Sequence, residues 1–275
     1  MDTKYLDINS KMKIAYYSEY LPKSKIGVII VHGLTEHKGR YEDFIQELMA
    51  NNMSVFAVDL RGHGESFGKR GDVKKFTDYL TDLNSFVCYI KGKYPELKLT
   101  LFGHSLGGLI SSGYAATYGG VDLLVLSSPY LSACPKRVRH FRFIPYKLCG
   151  FIRLKKTHSE SKSISEISIS DKLYGKYFTL RLAGVMIRQG LAYAKSRYKD
   201  IKMPVLIIGG KLDAVVNSEV FSEALEEFGS KNKTLKIYEN KKHRMVQNED
   251  KDKIIYDIIN WINQNENSGG LYGKD

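Results

Sequence analysis

Two stretches of the sequence fit the spacing Gly-x-Ser-x-Gly: Gly64-Glu65-Ser66-Phe67-Gly68 and Gly103-His104-Ser105-Leu106-Gly107. This spacing can mark a nucleophilic serine, but only on a sharp turn between a strand and a helix. The glycines two residues either side leave room for a strained, close-packed turn, and the helix aims its N-terminus at developing negative charge. Ser105 meets these conditions: KLTLF (98–102) precedes it, and a helical pattern begins at Leu106-Gly107-Gly108. Ser66 does not. The strand before it ends near Val58, and Gly62, Gly64, Gly68 and Gly71 follow with Lys69 and Arg70 and no 3.6-residue apolar period. Residues 59–73 therefore read as a glycine-rich loop, in which Ser66 and Glu65 are expected to hold the chain by hydrogen bonds.

A serine needs a base to take its proton. The histidines are His32, His37, His63, His104, His140, His158 and His243. In the chain order Ser, acid, His, three follow Ser105. His140 and His158 fall in a polar, basic segment, whereas His243 follows the strand pattern TLKIYE (234–239) in the loop before the last helix, beside the expected elbow. Asp213 follows PVLIIGG (204–210) by three residues and is the only carboxylate of that loop. Flanked by Leu212 and Ala214-Val215-Val216, it is expected to be partly buried and to orient the imidazole. A plain structural histidine and a turn or helix-cap aspartate are the alternatives. An oxyanion hole needs two fixed backbone N–H groups. Leu106 should supply one. Leu34, in the His32-Gly33-Leu34-Thr35 stretch after strand IGVIIV, should supply the other; an ordinary strand-to-helix turn is the alternative there.

The elements needed to position these groups are legible. A hairpin is predicted over 3–18, then alternating strands and helices: IGVIIV (26–31), helix 41–50, SVFAV (54–58), helix 78–94, KLTLF, helix 106–118 and VDLLVL (121–126). The alternation resumes with PVLIIGG, helix 218–228, TLKIYE and helix 251–264. Repeated β-α units predict an α/β fold with a mostly parallel sheet and helices on both faces. Sites in such sheets lie outside the carboxyl ends of the strands. The interval from about Pro129 to Ile201 is too long for a loop. The expected organisation is a first core part over 1–128, an inserted helical cap over 129–202, a second core part over 203–265 and a flexible tail over 266–275.

Composition is that of a globular domain, with 275 residues, 43% hydrophobic and 26% charged. No basic leader followed by an apolar run opens the chain, and the apolar stretches are too short to span a bilayer. The three cysteines, Cys88, Cys134 and Cys149, form no Cys-x-x-Cys pair; a cytoplasmic setting is expected, without a disulfide framework or zinc site. Residues 136–162 hold nine Lys or Arg against one acid, Glu160, a net +8 of the chain's +12. Within them Phe141, Phe143, Tyr146, Phe151 and Ile152 alternate with cations. That mixture suits peripheral contact with an anionic membrane, or a lid packed by its aromatics with a solvated basic face. No nucleic-acid-binding motif accompanies it, so no nucleic-acid partner is expected.

Several stretches together resemble the α/β-hydrolase fold, and more narrowly its monoacylglycerol lipase and lysophospholipase branch: HGLTEHKGRYEDF (32–44), DLRGHGESFGKRGDV (59–73), FGHSLGG, GGKLDAVVNSE with KKHRMVQNED, and YGKYFTLRLAGVMI (174–187). The resemblance spans nearly the whole chain outside 130–170. It implies a serine hydrolase cleaving carboxylic esters of single-chain acyl lipids, with no metal or organic cofactor. An acyltransferase or a general small-ester carboxylesterase could use the same triad. Dehalogenases and epoxide hydrolases of this fold use an aspartate nucleophile, which Ser105 argues against. Three departures stand out: Thr35 where a second glycine is common, Arg244 where an acid usually follows the histidine, and Asn217 where aspartate is frequent. The basic cap is a larger departure and weakens the case for neutral monoacylglycerol as the natural substrate.

Overall fold

The computed structural model describes residues 1–132, 145–155, 170–248 and 250–267. Apolar β-branched runs form the centre of an eight-stranded sheet, in the order β1-β2-β4-β3-β5-β6-β9-β10. The strands are β1 (Lys4–Asn9), β2 (Met12–Glu19), β3 (Ile26–Val31), β4 (Ser54–Val58), β5 (Lys98–His104), β6 (Leu123–Ser127), β9 (Val205–Gly210) and β10 (Lys233–Tyr238). β1 and β2 pair antiparallel, as do β2 and β4, and every other pairing in this sheet is parallel.

All six residues of β3 are buried, because the sheet is covered on both faces. Successive side chains of a strand point to opposite faces. Ile29 and Val31 accordingly join one core with Leu83, Phe86, Leu101 and Leu109. Val28 and Ile30 join the other with Phe44, Ile45, Leu48, Ile254 and Ile258. These residues identify the covering helices. α2 (Phe76–Lys93) and α3 (Leu106–Tyr118) lie on the first face. α1 (Glu42–Ala50) and α5 (Asp252–Asn267) lie on the second, and α4 (Val220–Glu227) adds Phe221, Ala224 and Leu225 to the first core. Helix α5 runs two residues past the expected end of the core, so residues 266 and 267 are helical; 268–275 lie outside the described residues.

Between β6 and β9, β7 (Arg153–Lys155) pairs antiparallel with β8 (Tyr177–Thr179), and a continuous helical stretch follows over 180–195. Among the contacts that tie this segment to the core, two sets lie at loops near the carboxyl end of the sheet. At the glycine-rich loop, Thr179 N–H donates to Gly71 O (2.8 Å), Thr179 Oγ1 donates to Asp72 (2.6 Å), and Arg181 pairs with the same carboxylate. At the loop after β3, Gly175 N–H donates to Thr35 O (2.8 Å) and His37 bonds to Asp171 (2.7 Å). Of the basic stretch 136–162 only 145–155 is described; Cys134, His140, Phe141, Phe143 and His158 lie outside the described residues. Among the described residues no helix is long and apolar enough to cross a membrane.

Candidate active site

β5 delivers its last residues straight into Ser105, which has φ 53° and ψ −114°. A non-glycine residue there stores on the order of 1–3 kcal/mol of strain, tolerated only where surrounding packing enforces it. The flanking glycines make that packing possible. A Cβ on Gly107 would collide with the carbonyl oxygens of Val31 and His32, and one on Gly103 would lie 2.5 Å from Gly107 O. α3 starts at the next residue, Leu106. As the first residue of a helix, Leu106 has an N–H with no carbonyl partner inside that helix, and the positive end of the helix dipole points the same way.

His243 and Asp213 arrive from the loops after β10 and β9, the two strands beyond β6. His243 Nε2 lies 2.9 Å from Ser105 Oγ, and His243 Nδ1 lies 2.7 Å from Asp213 Oδ2. A carboxylate only accepts hydrogen bonds, so Nδ1 carries the proton and Nε2 accepts from the serine hydroxyl. Asp213 Oδ1 accepts from the amides of Val215 (2.7 Å) and Val216 (3.0 Å). Burial pushes the Asp213 pKa up, but the hydrogen bond and charge of His243 and these two amides outweigh it, and the net direction is downward. The carboxyl is therefore held ionised against the imidazole. Its side chain is fully buried, while two of its apolar neighbours are not. Leu212 and Val215 are 56% and 44% exposed. The turn folds the carboxylate inward and leaves those side chains outside.

The loop after β3 approaches the elbow closely. A Cβ on Gly33 would lie 3.3 Å from Ser105 Cβ and 3.1 Å from the His104 ring. Gly33 N–H is committed to Glu36 Oε2 (3.1 Å), and the next amide along the chain is that of Leu34. Thr35 has φ 66°, a left-handed conformation that glycine adopts freely; this accounts physically for the glycine common at that position. The chain thus brings Ser105, His243, Asp213 and both amide-bearing segments, 33–34 and 106, to one end of the sheet.

The other described histidines have different surroundings. His32 Nε2 accepts from Leu60 N (3.0 Å), so its Nδ1 donates to Gly33 O (2.7 Å). Burial holds the pKa of His104 and His63 down to about 3 and lowers that of His32. These three are neutral framework groups. Ser66 is buried: its hydroxyl donates to Asp59 O (2.6 Å) and accepts from Ala15 N (2.8 Å). Sequence reasoning missed Glu36, which sits beside the elbow loop, and the burial of Arg244. The departure at Arg244 was the available signal. Among the described residues no group of three His, Cys, Asp or Glu side chains could hold a metal ion. A cavity of about 500 Å³ lies at the amino ends of the strands, lined by Ile26, Lys98, Leu123 and Pro204 among others, and contains none of these site residues.

Comparison with known proteins agrees with this architecture. The family described as serine aminopeptidase, S33, matches residues 22–251. Monoglyceride lipase from Rattus norvegicus is 30% identical over 249 residues, covering 86% of this chain and 81% of that protein. Monoacylglycerol lipase from Mycolicibacterium smegmatis is 25% identical over 245 residues, covering 86% and 87%. The crystal structure of Paleococcus ferrophilus monoacylglycerol lipase superposes with a TM-score of 0.77 at 26% identity, covering 92% of this chain and 99% of that one. With an elbow, a mostly parallel sheet and a family match over most of its length, the chain belongs to the serine aminopeptidase S33 family of α/β-hydrolases and is a monoacylglycerol lipase-like hydrolase.

Proposed function

We propose that this hydrolase cleaves the carboxylic ester of a single-chain acyl lipid, a monoacylglycerol or lysophospholipid, with Ser105 as nucleophile. The observation that carries the reading is the unbroken hydrogen-bond chain Ser105 Oγ–His243–Asp213. Ser105 Oγ attacks the ester carbonyl while His243 Nε2 takes its proton. Asp213 holds the ring in the Nδ1–H tautomer and stabilises the imidazolium. The carbonyl oxygen becomes an oxyanion, bound by the amides of Leu34 and Leu106. Collapse expels the alcohol, protonated by His243, and leaves an acyl-Ser105 ester. Water, deprotonated by His243, then releases the fatty acid. The relatives named as monoacylglycerol lipases support the substrate class.

Residues 129–202 act as the cap over this site in the same reading, supported by the contacts of Asp171 and Gly175 with the loop after β3. The cap is also where an anionic membrane would be met. Leu148 and Phe151 are 76% and 77% exposed beside Lys147, Arg153 and Lys155. Apolar side chains flanked by cations bind headgroup regions in this manner.

One panel tests both claims. Monoacylglycerols and lysophospholipids of graded chain length are assayed with and without anionic vesicles, alongside fluorophosphonate labelling. The expected result is labelling of Ser105, ester cleavage with fatty acid as product, and faster turnover on vesicles. Labelling elsewhere, or no lipid ester cleaved, overturns the reading. An acyl product formed only with added alcohol would mean acyl transfer instead.

A further inference from the structure

A buried ion pair lies beside the site. Glu36 Oε1 is 3.3 Å from Arg244 Nε, and both residues are about 2% exposed. Glu36 Oε2 accepts from Gly33 N (3.1 Å) and from the Tyr41 hydroxyl (2.9 Å). Arg244 Nη2 donates to the Tyr174 hydroxyl (2.9 Å), and its guanidinium lies 5.6 Å from the Tyr174 ring centre. Arg244 follows His243 directly. One pair of charges therefore joins the loop carrying the Leu34 amide, the loop carrying His243, and residue 174 of the segment between β6 and β9.

We propose that Glu36 and Arg244 are positioning residues for the hydrolysis described above, fixing the 33–35 loop, and with it the Leu34 amide, against Ser105 and His243. The inference rests on that hydrolytic reading. Three physical points carry it. An oxyanion donor is effective only when held about 2.7–3.1 Å from the forming charge, so the loop must not drift. The loop is under tension, because Thr35 is held at φ 66°, a conformation a non-glycine residue keeps only under constraint. Glu36 supplies the constraint by gripping Gly33 N–H, one peptide before Leu34. Stability alone is a poor account of the pair, since a buried ion pair is often no better than apolar residues of the same volume.

The test uses the full chain and four variants: Glu36→Gln, Arg244→Met, Arg244→Lys and the double Glu36→Gln/Arg244→Met, with Ser105→Ala as reference. The readouts are kcat and KM on a short p-nitrophenyl ester and the melting temperature. In Glu36→Gln and Arg244→Met, kcat should fall by about 10- to 100-fold, in proportion to a displaced oxyanion donor, with KM within about threefold. Arg244→Lys, which keeps a charge beside Glu36, should regain most of that loss. The double variant removes both charges of this pair together, so its melting temperature should recover while kcat stays low. If a single variant does not fold, the double and Arg244→Lys decide the matter. The proposal is overturned if kcat in the double variant recovers with its melting temperature, or if the losses appear in KM. Should Ser105→Ala remain active, the hydrolytic reading itself fails, which is a different result from normal turnover in the Glu36 and Arg244 variants.

Discussion

The loops around Ser66 and Ser105 share one sequence pattern and use it in opposite ways. Around Ser105 the serine carries the positive φ, and its glycines let neighbouring backbone pack where a Cβ would collide. Around Ser66 the glycines Gly62, Gly64, Gly68 and Gly71 carry the positive φ, and the serine has both hydroxyl roles satisfied in the interior. The Ser66 loop closes over a buried charge cluster. Lys38 Nζ meets Asp59 (3.0 Å) and Glu65 (2.5 Å), and Asp59 also accepts from the amides of Lys38 and Glu65. A strained, hydrogen-bonded serine beside an imidazole suits attack, whereas a relaxed, fully bonded one suits support. The pattern Gly-x-Ser-x-Gly requires only small residues near a tight turn.

The comparison is broken or sharpened by substitution. The largest effect is expected at Ser105. Ser105→Ala should cut ester turnover by about 10⁴–10⁶, measured with a p-nitrophenyl ester. Ser66→Ala, which strands Ala15 N–H, should cost about 1–3 kcal/mol of stability with turnover within a few-fold. A dead Ser66 variant beside an active Ser105 variant would reverse the assignment. Next, Asp213→Asn should lower turnover by about 10⁴, because the amide permits the wrong imidazole tautomer; burst kinetics would place the loss in acylation.

In the Ser66 loop, Lys38→Met leaves Asp59 as a buried unpaired carboxylate. Denaturant unfolding should show a loss of about 3–5 kcal/mol, with kcat of the folded fraction unchanged. The smallest effect is one of pH. The pKa of Asp213 is lowered in the folded chain. Its contribution to stability is therefore present above the ordinary aspartate value, about 3.9, and is lost as pH falls through the lower folded value. Asp213→Asn should give a flatter acid limb in a plot of unfolding midpoint against pH, and an unaltered limb would show that the Asp213 pKa is not depressed.

Much of this was legible because the core strands are so regular. IGVIIV, SVFAV and KLTLF mark three neighbouring parallel strands, and the apolar period of α2 marks its buried face. The elbow serine was recognisable from the strand before it and the helix after it. Other features were hidden for definite reasons. Lys38 lies in the polar stretch HKGRY, yet its side chain is fully buried, because its partners Asp59 and Glu65 come from another loop. Asp213 is buried by folding inward, while Leu212 and Val215 beside it stay outside and Val216 enters the core. The burial of Lys38 leaves no trace in local hydrophobicity, whereas the apolar flank of Asp213 announces burial without showing which side chains turn inward.

The sequence by itself determined the order of strands and helices outside 129–202 and singled out Ser105, Asp213 and His243 as candidates, since periodicity and turn chemistry are local. Only the tertiary structure decided which loops meet. Strand order β3-β5-β6-β9-β10 sets the carboxyl-end loops side by side, and contacts such as Glu36 with Arg244 span 208 residues of chain. A charge pair of that separation is fixed by the packing of the sheet, which no local pattern encodes.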